Sequence, residues 1–145
     1  MPMIDVYAPE DLFPADADSG LVRELTHAVL RAEGVAKPGA FHLDNTAAFV
    51  HRLPRFAVGT AAAQPARVVR IQIITPPGSL KRDGQRQITK EATEIVARAA
   101  GDPALKVWVI LAEAAEGGWG IGGTAFGIEE FTDLARRAAA AQKQP

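Results

Sequence analysis

Apolar residues recur along the chain in two rhythms: short runs rich in β-branched and aromatic residues, and longer stretches in which they return every three or four positions. Met3 to Ala8 has the first rhythm and stops at Pro9, which predicts a strand. An acidic, proline-punctuated loop from Glu10 to Asp18 follows. Leu21, Leu25, Val29 and Ala32 then fall on one helical stripe, with Val22 beside it, Ser19 or Asp18 as the expected cap and Gly34 as the expected stop. A loop with Pro38 and Gly39 leads to a second strand over Ala47 to Leu53, closed by Pro54. Ala57 to Ala66 reads as a connector. The order then repeats. Val68 to Thr75 predicts a strand, and a helix from about Asp83 or Gly84 to Ala100 buries Ile88, Ala92, Ile95, Val96 and Ala99 before stopping at Gly101 and Pro103. Lys106 to Ala112 predicts a strand apolar on both faces, most simply buried on both. A glycine-rich segment, 117–123, and a short helix over about 128–141 complete the chain.

Strand, helix, strand thus occurs twice. Met3 to Pro9 lies 68 positions before Ile71 to Pro77, and Gly34 lies 67 before Gly101. The spacing predicts one domain over 1–145 built from pseudo-repeats at about 2–56 and 68–126. Two right-handed β-α-β units would give an α+β fold, a four-stranded sheet with both helices on one face. Nothing in the chain is left to cover the other face, so the pattern predicts oligomerisation through it.

Composition narrows the chemistry. A chain of 145 residues supports a single core. Its 16 basic and 17 acidic residues nearly cancel, which points to neither nucleic acid nor an anionic membrane as partner. The absence of cysteine excludes disulfides and thiolate ligands, and His27, His42 and His51 are too scattered to suggest a zinc site. The acidic beginning is unlike a signal peptide, and no run approaches the roughly 18 apolar residues of a membrane span; the expectation is a soluble, cytoplasmic protein. Gly118, Gly120 and Gly123 satisfy G-x-G-x-x-G after a strand. Only 22 residues follow, with no second strand among them, so a dinucleotide site is rejected in favour of a tight hairpin-like turn that thrusts Trp119 outward.

The chain begins Met-Pro. Removal of Met1 would leave Pro2 with a free secondary amine at the tip of a strand, a nucleophile and base whose position the fold sets. Partial burial and nearby cations favour its neutral form, and a neutral amine suits general-base work near pH 7. With Met1 retained, Pro2 carries an amide nitrogen and the base is gone.

Pro2 with its strand, and Glu113 to Gly123 with its Trp-Gly-Ile-Gly-Gly turn, resemble the tautomerase superfamily, which includes 4-oxalocrotonate tautomerase and the macrophage migration inhibitory factor. The resemblance spans both halves and identifies a fused, two-repeat member. It implies a homotrimer with active sites at subunit boundaries and a cofactor-independent isomerase that interconverts keto and enol forms of a 2-oxo acid, with Pro2 as general base. It makes Trp119 a pocket-wall aromatic. The family holds the substrate carboxylate with a cation in the loop before a helix. Here the aligned position is near Leu80, so Lys81 or Arg82 is the expected ligand, with Arg70 and Tyr7 as further candidates. The first repeat has no arginine in that loop, and Trp108 stands where a second cation is often found; this second loss argues against a dicarboxylate. His51, Arg52 and Arg55 are expected mainly in solvent. The alternatives are dehalogenase, hydratase or decarboxylase chemistry on the same scaffold, or a trimeric ligand-binding protein without catalysis.

Overall fold

Alternation along the first strand sets the architecture. In the computed structural model, which describes residues 1–144, β1 (Met3–Pro9) turns Ile4, Val6 and Ala8 into the core and Met3, Asp5 and Tyr7 to the opposite face. The elements that follow are α1 (Asp18–Ala32), α2 (Ala40–Asp44), β2 (Ala47–Leu53), β3 (Val68–Thr75), α3 (Arg82–Ala100), β4 (Lys106–Glu113), β5 (Trp119–Ile121), β6 (Thr124–Phe126) and α4 (Ile128–Gln142). The sheet order is β2-β1-β3-β4. Pairs β1–β2 and β3–β4 are parallel, as each crossover helix requires, and the halves meet in the antiparallel β1–β3 pair. Helices α1 and α3 pack on one face over Ile4, Val6, Ile71 and Ile73. Gly84 lets α3 pass the end of α1, where a Cβ would run into the Ala32 carbonyl.

Several local expectations change. The repeat offset is 67 rather than 68 along the strands: Ile4, Val6 and Ala8 share the core face with Ile71, Ile73 and Thr75, whereas an offset of 68 would match Ile4 to the outward Gln72. A strand's side-chain period is two, so a shift of one residue exchanges its faces. No side chain caps α1; its N-cap is Ala17. Asp18 instead receives Arg52 Nε at 3.1 Å and Nη2 at 2.8 Å, while the same guanidinium donates to the carbonyls of Glu10, Phe13 and Pro14. Arg52 is therefore a staple that pins the acidic loop to β2, not a solvent residue. The loop before β2 contains the short helix α2. Strand β4 is not buried on both faces: Val107, Val109 and Leu111 pack toward α3, but Trp108 and Ile110 are 42% and 49% exposed. Phe49, on the same face of β2, is 51% exposed.

Candidate active site

Three strand ends and the glycine hairpin enclose a cleft of about 560 Å³ beside the start of β1. Met3, Ala47 and Ile74 form its floor, Asp44 and Asn45 one rim, and the hairpin from Gly118 to Gly122 the other. Trp119 is not thrust from the tip. It opens β5 at the base of the hairpin, 7% exposed, with its ring edge-on to Phe131 at 6.2 Å. The tip is Gly122-Gly123, whose φ values of 57° and 84° suit glycine. The hairpin is anchored from below: Glu116 accepts from the Ile128 N–H at 2.9 Å and Glu130 from the Gly127 N–H at 2.8 Å. These bonds fasten the hairpin to the first turn of α4, and the backbone N–H donors hold the exposed Glu130 carboxyl below its ordinary range. The cleft lining holds Asp44 but no lysine or arginine.

Pro2 is fully buried, one residue from Met3. The terminal amine, here Met1 N, lies 3.5 Å from Glu33 Oε2, with both groups almost inaccessible to water. Glu33 follows α1, and its Oε1 accepts from Ser79 Oγ at 3.0 Å. Burial lowers the amine below its ordinary value of 8.0 against the opposing pull of Glu33. Burial also raises Glu33 above 4.5, against the amine, the Ser79 hydroxyl and the charge of His42. The same desolvation thus favours the neutral form of both groups. This end of β1 is a place where an amine binds its proton less tightly than in water.

The other expected ligands stand elsewhere in the chain. Lys81 precedes α3 and is exposed. Arg82 opens that helix with Nη1 3.3 Å from Gln85 Oε1, and it lines a different groove with Val109 and Leu111. Tyr7 and Arg70 pair across β1 and β3 on the open face, four residues beyond Met3, roughly 13 Å at strand rise. There the Arg70 guanidinium sits 4.4 Å from the Tyr7 ring centroid. His51 stacks on Tyr7 at 4.4 Å and places Nε2 2.6 Å from Asp5 Oδ1. Within one chain, then, Trp119 lines the cleft while buried Pro2 lies one residue behind it, next to Met3 of its floor; Tyr7 and Arg70 form a second cluster, and Lys81 and Arg82 belong to neither. Glu33 and Ser79 were not anticipated, because their positions, 46 residues apart, meet only when α1 and the loop after β3 pack side by side. Strand alternation does put Met3, Asp5 and Tyr7 on one face, as the sequence pattern reads.

A family model described as "Tautomerase enzyme" matches residues 68–139. No curated protein matches the chain. Among solved structures, one of Pt0534 inactivated by 2-oxo-3-pentynoate superposes with a TM-score of 0.72 at 17% identity, covering 88% of this chain and 97% of that one. Native fused 4-OT gives 0.70 at 18% identity, covering 85% and 94%. The macrophage migration inhibitory factor-like protein of Entamoeba histolytica gives 0.68 at 16%, covering 86% and 98%. The match to the second half, the two antiparallel β-α-β units and these neighbours agree: residues 68–139 match the tautomerase family, and the chain as a whole has the fold of the fused 4-OT and macrophage migration inhibitory factor-like structures.

Proposed function

We propose that the protein is a cofactor-independent keto-enol tautomerase for 2-oxo or enol carboxylic acids, with Pro2 as its general base once Met1 is removed. One observation carries this reading: the amine-bearing end of β1 is desolvated beside a Trp119-walled cleft of about 560 Å³, a volume suited to a small acid. The neutral amine would take the enol O–H or the α C–H proton and return it at the other atom, with no net change in protons or electrons. Because Lys81, Arg82, Arg70 and Tyr7 do not line the cleft within one chain, the carboxylate ligand is drawn from a neighbouring subunit. The apolar open face, with Phe49, Trp108 and Ile110, is the surface for that assembly. Fused 4-OT is described as symmetric and asymmetric trimers, which supports a homotrimer here.

The test is ketonisation of phenylenolpyruvate and 2-hydroxymuconate, followed by ultraviolet absorbance with wild type and Pro2→Ala, both confirmed by intact mass to lack Met1. Turnover is expected to fall at least about 10²-fold in the variant; equal rates would remove Pro2 from the chemistry. A second reading, a trimeric ligand-binding protein without catalysis, draws on one contact: the Met1 amine is itself held by Glu33. Protein from the native host that retains Met1 would favour it.

A further inference from the structure

Glu33 is placed where a carboxylate has little reason to be. It sits at the carboxyl end of α1, where the helix dipole disfavours negative charge, and only 5% of its side chain is exposed. A buried carboxylate there is unfavourable unless it is paired and hydrogen-bonded. Its partners are of two kinds, the terminal amine at 3.5 Å on Oε2 and the Ser79 hydroxyl at 3.0 Å on Oε1. The Ser79 oxygen is also 3.0 Å from the Pro76 carbonyl.

That second distance matters because a hydroxyl has one proton to give but can also accept. When Glu33 is ionised, Ser79 donates to it. When Glu33 is protonated, its O–H donates to Ser79, which turns its own proton to the Pro76 carbonyl. Ser79 therefore satisfies both protonation states without moving a heavy atom. A purely structural ion pair does not need such a two-way partner.

We propose that Glu33, oriented by Ser79, is the positioning residue that shares the proton of the terminal amine and so sets the pH range in which Pro2 works as a base. The inference rests on the reading of Pro2 given above. Removal of Met1 withdraws the free amine by one residue, about 3.8 Å along the chain, toward buried Pro2 and still at the end of β1 that Glu33 faces. In the cycle, the amine takes a proton from substrate to become an ammonium, and the carboxylate holds that proton against loss until it is returned. The other titratable group facing Glu33 is His42 of α2. Its charge opposes protonation of Glu33, so His42→Gln is a useful control on the assignment of the limbs.

The experiment uses the full chain without Met1, labelled with ¹⁵N-proline and ¹³Cδ-glutamate, in wild-type and Glu33→Gln forms. Two readouts are compared: the acid limb of the kcat/KM pH profile and the ¹⁵N titration of the Pro2 amine. Loss of the carboxylate is expected to move both to lower pH by about one pH unit, while His42→Gln leaves the amine's titration as the main step. A uniform drop in kcat/KM with the limb and the titration unmoved would mean that Glu33 is only structural, and would overturn the proposal. Should Glu33→Gln fail to fold, the wild type still decides it, since a shared proton gives linked steps at the Pro2 nitrogen and the Glu33 ¹³Cδ. An amine step with no counterpart at Glu33 would overturn the idea. The NMR titration needs no turnover, so a failure of the tautomerase reading remains separable from a failure of this one.

Discussion

The two faces of the sheet differ in what completes them. On one, Ile4, Val6, Ile71 and Ile73 are sealed by α1 and α3 of the same chain. On the other, the register lines up His51, Tyr7, Arg70 and Trp108 in one row and Phe49, Asp5, Gln72 and Ile110 in the next, with no covering layer among the described residues. The first face resembles the interior of any small domain. The second mixes exposed aromatic and aliphatic groups with a connected polar cluster, the composition of a surface that must bury apolar area and still specify orientation. The difference separates the face that drives folding from the open face proposed above for assembly.

The sharpest way to break this contrast is to truncate each face in turn. Ile71→Ala should cost about 2–5 kcal/mol of fold stability, read as a lower urea midpoint at unchanged slope. Ile110→Asp on the open face should leave the stability of the single chain within about 0.5 kcal/mol but abolish oligomerisation, measured by light scattering. A variant that stayed assembled would move the interface off this face. Arg52→Ala, which releases the acidic loop at the edge of the sheet, should cost about 1–2 kcal/mol through its lost charged hydrogen bonds and speed proteolysis between Glu10 and Asp18.

The smallest expected effect tests the buried carboxylate at the end of α1. In the chain as described, the buried Glu33 carboxyl is raised above 4.5. A raised carboxyl contributes stability that is fully present below its unfolded value and is lost as pH rises through the folded one. The lowered amine has the opposite sign: its contribution is present above 8.0 and is lost as pH falls through the folded value. Glu33→Gln should therefore remove the loss on the acid side, so that its stability curve, followed by denaturant titration from pH 4 upward, meets the wild type at the lowest pH and lies above it thereafter. Parallel curves would place Glu33 in water.

Much of the architecture could be read from apolar periodicity. The strand at Val68–Thr75 and the helix ending at Gly101 agree with their patterns because period two and period 3.6 encode which side meets the core. The same signal misread β4, since Trp108 and Ile110 are as apolar as residues covered by the helices, and periodicity does not tell a covered face from an open one. It also misplaced Trp119, because the positive-φ glycines at 122 and 123, not the tryptophan, make the turn. At the cleft end of the sheet, Pro2 and Trp119 stood out in the sequence as motif residues, and their roles belong to the proposal above. The amine–Glu33–Ser79 contact was not legible, and neither was the separation of Lys81 and Arg82 from the cleft.

The sequence by itself determined the repeated β-α-β order, the core stripes and the glycine turn, all local consequences of side-chain period and backbone freedom. Only the tertiary structure decided which strand faces coincide, that Arg52 staples the loop rather than meeting solvent, and that a carboxylate from the end of α1 reaches the first residue of the chain. Those facts depend on registers and helix approaches between segments far apart in sequence, which propensity does not encode and packing does.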